Sequence, residues 1–284
     1  MRILITGKHS YIGSSVKAWL NEKEATFVVN EISLRNFNLN TLSFKNYDVI
    51  FHVAGIAHIS SNKKMIPEYF KINRDLAIEV AKKAKEEGVK QFIFTSTMAI
   101  YGDDRPIGDF RPIDIEKPTP TNAYGQSKLE ADEAIQNLQN QNFKVSILRI
   151  PMVYGVNSKG NFPRLEKLAL KVSIFPKLEN IRSVINVLSL SELIRLLIIK
   201  NKDGVFYPQD KEYFSTSTFI NTFRKKIHKK TKFIPFLTLI LKFLALFIRP
   251  MNKIYGNKFY DAKVSTIEGL NYQIESWSTY IKKL

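Results

Sequence analysis

The chain of 284 residues contains no cysteine. That excludes disulfides, thiolate metal sites, cysteine nucleophiles and cysteine-ligated iron–sulfur clusters. The four His are scattered at 9, 52, 58 and 228, and no metal site is expected. Acidic side chains are short as well: 26 Asp and Glu stand against 43 Lys and Arg, a net charge of +17. No apolar run reaches the roughly 20 residues that a membrane span needs. The longest, Phe233 to Ile248, has 16 residues and contains Pro235 and Lys242. The opening stretch, Met1 to Gly7, breaks too soon for a signal peptide, and no internal repeat or low-complexity linker is visible. What remains is an ordinary globular composition, 44% hydrophobic and 24% charged, which argues against wholesale disorder and suits a cytoplasmic protein.

The basic excess is uneven. Residues 1–199 carry 27 basic and 20 acidic side chains; residues 200–284 carry 16 and 6. Nucleic acid, an anionic membrane or a phosphorylated substrate would each suit such a balance, and so would the Lys-, Asn- and Ile-rich usage of AT-rich coding. No helix-turn-helix, zinc-finger or aromatic RNA-binding signature is present, so no nucleic-acid partner is expected. Lys225, Lys226, Lys229, Lys230 and Arg249 flank the apolar run. Residues 225–250 could therefore lie on the inner face of the cell membrane, or pack as a core or subunit-interface helix.

Short apolar, β-branched runs at 3–6, 26–29, 48–54, 91–95 and 144–150 alternate with helical patterns at 14–20, 68–87 and 122–138. That alternation predicts parallel strands with right-handed crossovers, hence an α/β, doubly wound parallel Rossmann sheet. After Pro151 the alternation loosens. Residues 1–155 are read as a dinucleotide-binding domain that the chain re-enters near 184–200, and residues 156–284 mainly as a smaller α/β substrate-binding domain.

Gly7-Lys8-His9-Ser10-Tyr11-Ile12-Gly13 sits between a predicted strand and a predicted helix. Gly7 allows the tight turn and Gly13 close helix–strand packing, while amides at the helix N-terminus, around Ser10, Tyr11 and Ile12, can bind a pyrophosphate. Ser10 stands where the usual pattern has a middle glycine. Past the second strand, Glu31 could hold the ribose of NAD, whereas Ser33 and Arg35, with Lys8 and His9 nearby, could hold the 2′-phosphate of NADP. NADP(H) is favoured on this reading. Further along, Tyr124 and Lys128 stand four apart on one helix face. A neighbouring ammonium would make the phenol usable as a general acid/base for an alcohol–ketone pair.

With these segments in view, the sequence resembles the extended short-chain dehydrogenase/reductase family, in particular its nucleotide-sugar epimerases, dehydratases and 4-ketoreductases. The resemblance rests on Thr6-Gly7 with Gly13, His52-Val53-Ala54-Gly55, Asn73, Ser96 to Gly102, Tyr124 with Lys128, Leu148-Arg149 with Tyr154-Gly155, Asn161-Phe162 and Arg182 to Val187. It implies that Thr97 hydrogen-bonds the sugar O4 and that Tyr124 and Lys128 are the catalytic pair. Ala54 and Gly55 would line the cofactor's phosphate–ribose side, Pro151 and Val153 its nicotinamide, and Asn38 and Leu39 its adenine. Met98 would border the sugar, and Asn161 and Arg182 would hold the nucleotide diphosphate. Asn73 is read as a brace. A homodimer would use the helices around 66–88 and 122–140.

Met98-Ala99 follows Thr97 where 4,6-dehydratases carry an Asp-Glu pair, and the absence of Cys removes the fucose-synthase type. The resemblance therefore implies NAD(P)H-dependent reduction of the C4 ketone of a UDP-4-keto-6-deoxy-N-acetylhexosamine in bacterial capsule or O-antigen precursor synthesis. The alternative is a UDP-sugar 4-epimerase, since both reactions use the same three side chains. A non-catalytic cofactor sensor is a further rival, against which the intact Thr97, Tyr124 and Lys128 argue.

Overall fold

The computed structural model describes residues 1–35, 38–57, 66–158, 161–245, 252 and 254–284. Strand β1 (Arg2–Thr6) is four-fifths buried and leads through the glycine turn into helix α1 (Tyr11–Lys23). Then follow β2 (Val28–Ile32), β3 (Val49–His52), α2 (Ile66–Tyr69), a π-helical stretch (Phe70–Asp75) and α3 (Leu76–Glu86). β4 (Gln91–Thr97), α4 (Ala123–Gln136) and β5 (Lys144–Ile150) complete the regular alternation. Later elements are β6 (Met152–Tyr154), α5 (Asn161–Lys171), β7 (Ile174–Pro176), β8 (Val184–Asn186), α6 (Val187–Ile199) and β9 (Gly204–Phe206). α7 (Thr216–Lys226), β10 (Lys232–Ile234), α8 (Pro235–Ala245), α9 (Ala262–Ser265) and α10 (Trp277–Lys283) close the chain.

Six strands form one sheet in the order β2-β1-β3-β4-β5-β9. Every pairing in it is parallel, so the fold is the α/β doubly wound sheet that the sequence pattern predicts. Both faces are covered, which explains why the strands read as unbroken apolar runs rather than alternating ones. One face is built from Ile3, Ile5, Val16, Leu20, Phe51 and the α6 residues Leu190, Leu193, Ile194 and Leu197. The other joins Leu4, Ile50, Phe92, Phe94 and Ile147 to Ala77, Val80 and Ala84 of α3 and to Ala131 and Ile135 of α4. The strand order reverses between β1 and β3, and a crevice opens beyond the carboxyl ends of strands at such a switch point.

A third, aromatic-rich cluster holds the C-terminal part together: Tyr154, Phe162, Phe175, Phe214, Phe219 and Trp277. Two sequence expectations shift here. The second strand runs 28–32 rather than 26–29. Phe233 and Ile234 are not helical but pair in parallel with Phe175 and Pro176. The helix begins only at Pro235, because proline's fixed φ and missing N–H suit the first helical position and no later one. Residues 246–248 of the apolar run lie outside the described residues. Among the described residues no helix is long and apolar enough to cross a membrane.

Candidate active site

A cleft of about 540 Å³ opens at the carboxyl ends of the strands. It is lined by nine side chains singled out from the sequence, Ser10, Tyr11, Ile12, Thr97, Met98, Tyr124, Pro151, Val153 and Arg182. Also on its wall are Asp103, Asp104, Asn122, Ser183 and Lys258.

The β1–α1 turn forms one end. Gly7 adopts φ +128°, and a Cβ there would lie 3.0 Å from the Ala54 amide nitrogen. Gly13 would bring a Cβ within 3.2 Å of Ile5 and Val53. The glycines thus let the turn press against the end of β3, as the spacing predicts. Ser10 caps α1, its hydroxyl oxygen accepting from the Gly13 amide at 3.1 Å. Its own O–H stays available to donate, and the first-turn amides of Tyr11 and Ile12 have no intrahelical carbonyl to reach. Beneath the turn, the Thr6 hydroxyl meets His52 Nδ1 at 2.8 Å. His52 is fully buried between Phe92 and Phe94. Burial, aided by the nearby Lys128 charge, pushes it down to about 3, so the imidazole is neutral.

The chemistry-bearing side chains come from β4 and α4. Thr97 ends β4 and caps the 3₁₀ turn Met98–Tyr101, accepting from the Ala99 amide at 3.1 Å. Asn122 caps α4 by accepting from the Gly125 amide at 2.9 Å. Gly125 lets α4 approach that turn, since a Cβ there would stand 2.8 Å from the Ala99 carbonyl. Tyr124, Lys128 and Asp132 follow at i, i+4 and i+8, on one face of the helix. Asp132 fastens that face to the sheet. It accepts from the Ser96 hydroxyl at 2.7 Å and twice from Arg149, at 3.0 and 3.1 Å, while Arg149 also donates to Tyr101 at 2.7 Å. A bidentate, fully buried pair of this kind fixes geometry strongly. It was not singled out from the sequence, although the four-residue spacing after Lys128 carried the signal.

Burial raises the Tyr124 phenol above its ordinary range; interaction with the Thr97 hydroxyl pulls it down and Tyr69 pushes it up. The phenol is therefore protonated at neutral pH. Lys128 is 5% exposed, donates to the Thr95 carbonyl at 2.9 Å and lies 4.6 Å over the Phe94 ring. Its own ammonium is desolvated, which pushes it down to about 8 against the opposing effect of Asp132. Gly55 lies alongside, with space for a Cβ only 3.4 Å from Lys128 Nζ and 2.9 Å from Asn73 Oδ1. Asn73 is the brace that was expected: it accepts from the Ile56 amide at 2.9 Å and donates to the Ile56 carbonyl at 3.0 Å.

The far end of the cleft is charged. Arg182 Nη2 donates to Asp104 at 2.6 Å, and its Nε to the Gly256 carbonyl at 3.2 Å. Lys258 donates to the Gly102 carbonyl. Burial lowers its pKa, with Asp104 and Asp103 opposing and Arg182 assisting. Nothing in the sequence marked Lys258, a single lysine between Asn257 and Phe259. Arg35, Asn38 and Leu39 do not line the cleft: Arg35 and Asn38 are exposed, and Leu39 packs against the sheet core. Asn161 opens α5, and its side chain lies outside the described residues.

Residues 3–205 match the model of the NAD dependent epimerase/dehydratase family. The chain belongs to that family. Epimerase/dehydratase relatives include a UDP-glucose 4-epimerase of Vibrio cholerae, 28% identical over 257 residues, covering 82% of this chain and 78% of that protein. A UDP-arabinose 4-epimerase of Arabidopsis thaliana is 26% identical over 189 residues, 56% of this chain and 44% of that one. This family member shares its fold with a dTDP-4-dehydrorhamnose reductase from Clostridium acetobutylicum, at TM-score 0.76 and 18% identity over 100% of this chain and 98% of that one. It shares it also with a UDP-glucuronic acid 4-epimerase from Bacillus cereus in complex with NAD, at TM-score 0.74 and 21% identity over 99% and 96%.

The residues present suit the nicotinamide dinucleotide that this family's description implies. The turn at Gly7 and Gly13 has no room for side chains, free amides stand at the start of α1, and Tyr124 lines the same cleft as Ser10, Tyr11 and Ile12, whereas Lys128 is buried and not on its wall.

Proposed function

We propose that the protein reduces the C4 ketone of a UDP-4-keto-6-deoxy-N-acetylhexosamine with a reduced nicotinamide cofactor. The observation that carries this reading is the half-buried, protonated phenol of Tyr124 beside Thr97 on the cleft wall. A carbonyl reduction needs a proton donor at the oxygen, and a phenol held above its ordinary pKa is in the donating form at neutral pH.

A bound dihydronicotinamide supplies the hydride. Tyr124 donates its proton to O4. Thr97, whose oxygen is occupied by the Ala99 amide, keeps its O–H to orient the carbonyl and stabilise negative charge as it grows. Lys128, which donates to the Thr95 carbonyl, would bond a ribose hydroxyl of the cofactor. The amides of Tyr11 and Ile12 would take the pyrophosphate, and Arg182 the nucleotide diphosphate.

For the cofactor's adenosine end two readings stand. Exposed Arg35 supports NADP(H). Glu31 supports NAD(H): one of its carboxylate oxygens accepts from Lys17 at 3.0 Å, while the other is buried with no partner and could accept from a ribose hydroxyl. A UDP-sugar 4-epimerase is the second reading of the reaction, supported by the likeness to the Vibrio and Arabidopsis 4-epimerases. A homodimer would join α2, α3 and α4 of two copies, which sedimentation can test.

Mixing the protein with a UDP-4-keto-6-deoxy sugar and each reduced cofactor separates these readings. Stoichiometric loss of the dihydronicotinamide band is expected. Interconversion of C4 epimers with no net loss would replace the reductase reading with the epimerase. Tyr124→Phe removes the proton donor and lowers turnover by about a hundredfold or more; wild-type turnover in that variant would overturn the assignment.

A further inference from the structure

Between Glu212 and Asp261 the chain has no acidic residue and ten Lys or Arg. In the middle of this stretch stands α8. One side of it is tied to the C-terminal part: the Thr238 hydroxyl donates to the Lys177 carbonyl at 3.0 Å, and Leu241 packs against the aromatic cluster. The other side presents Phe236, 66% exposed, Leu239, 64%, and Ile240, 40%. These fall at i, i+3 and i+4, a single face of the helix. Contiguous exposed apolar side chains of this size mark a surface that meets something else. Immediately before the helix, Lys225, Lys226, Lys229, Lys230 and Lys232 are all exposed. Among the described residues none of the five is in an ion pair.

We propose that α8 and the lysines ahead of it form a docking surface for an anionic phospholipid bilayer. The helix lies in the plane of the interface, with Phe236, Leu239 and Ile240 in the acyl boundary and the lysines against the headgroups. Charge decides among occupants. A second copy docked face to face would set this acid-free, lysine-rich segment against itself, and like charges at an interface repel. A nucleic acid would answer the lysines but leave the apolar face in water. An anionic bilayer answers both at once.

The test uses the full chain in flotation with vesicles of phosphatidylcholine alone and of equal parts phosphatidylcholine and phosphatidylglycerol. Binding to the second and not the first is expected, weakening as salt rises. Each of Phe236→Ser and Leu239→Ser should lower the partition coefficient on the order of tenfold, because an inserted apolar side chain is lost. Each of Lys229→Ala and Lys230→Ala should lower it about fivefold. These positions are exposed, and circular dichroism and thermal melting should be unchanged. Failure of the wild-type chain to float with anionic vesicles would overturn the proposal, and so would equal flotation of wild type and the serine variants. A concentration-dependent dimer that the serine substitutions abolish in the absence of lipid would overturn it too, assigning the face to a second copy.

Discussion

At the β1–α1 end the cleft is walled by backbone. Gly7 and Gly13 leave no side chain in the way, the α1 amides are fixed by the helix, and Ser10 is already used as a cap. At the opposite end it presents side chains: Arg182 and Lys258, held by Asp104 and the Gly102 carbonyl. The first end is built from one contiguous strand, turn and helix. On the proposed reading the second would exchange partners, since Arg182 is already engaged by Asp104. A ligand common to a whole family suits the first construction, and a sugar nucleotide that varies between members suits the second.

Substitutions can break this contrast. Gly7→Val should have the largest effect, because it adds a β-branched side chain at positive φ against the Ala54 amide. Cofactor affinity should fall by about a hundredfold, roughly 2.7 kcal/mol, measured by titration of dihydronicotinamide fluorescence. An unchanged affinity would mean that the turn does not hold the pyrophosphate.

The packing below that turn should show itself in acid. His52 is neutral in the fold and charges in the unfolded chain below its ordinary pKa of 6.5. Its depressed folded value means that the stability it contributes is present above pH 6.5. That stability is lost as pH falls from 6.5 towards 3, by about 2 kcal/mol at pH 5. Urea unfolding at pH 7 and pH 5 should show this loss, and His52→Leu should flatten it.

At the charged end, Arg182→Met should raise KM for the sugar nucleotide about tenfold through loss of a charge-assisted contact, with cofactor affinity unchanged. Asp104→Asn should act in the opposite direction, releasing Arg182 and lowering KM a fewfold, on the order of 1 kcal/mol. If both substitutions instead changed cofactor affinity, the separation of the two ends would fail. The smallest effect sharpens the adenosine end. If Glu31 reads the ribose, Glu31→Gln should shift the NADH to NADPH affinity ratio about fivefold towards NADPH, by weakening the contact to a ribose hydroxyl, and Arg35→Ala should leave that ratio unchanged.

The rate should also fall above about pH 8, where Lys128 loses its charge. The active form is the protonated one, so the loss is on the alkaline side, and it should disappear in Lys128→Arg if charge alone is required.

What could be read from the sequence was local. The turn from Gly7 to Gly13 is visible because strand, glycines and helix are contiguous. Tyr124 and Lys128 are visible because one helical turn brings them to the same face. The buried Asp132–Arg149 pair half escaped: its spacing along α4 was legible, its partner on β5 was not. Lys258 was not legible at all, since 76 residues separate it from Arg182 and only the closing of the C-terminal part brings them to one wall.

Hydrophobic periodicity and glycine spacing alone determined the parallel sheet, its cofactor turn and the tyrosine–lysine face, because each depends on residues within one or two turns of chain. Tertiary packing alone decided that Lys128 turns to the Thr95 carbonyl, that Arg182 is held by Asp104, and which side of α8 faces water. Those outcomes depend on burial and on partners distant in sequence, and no local pattern encodes either.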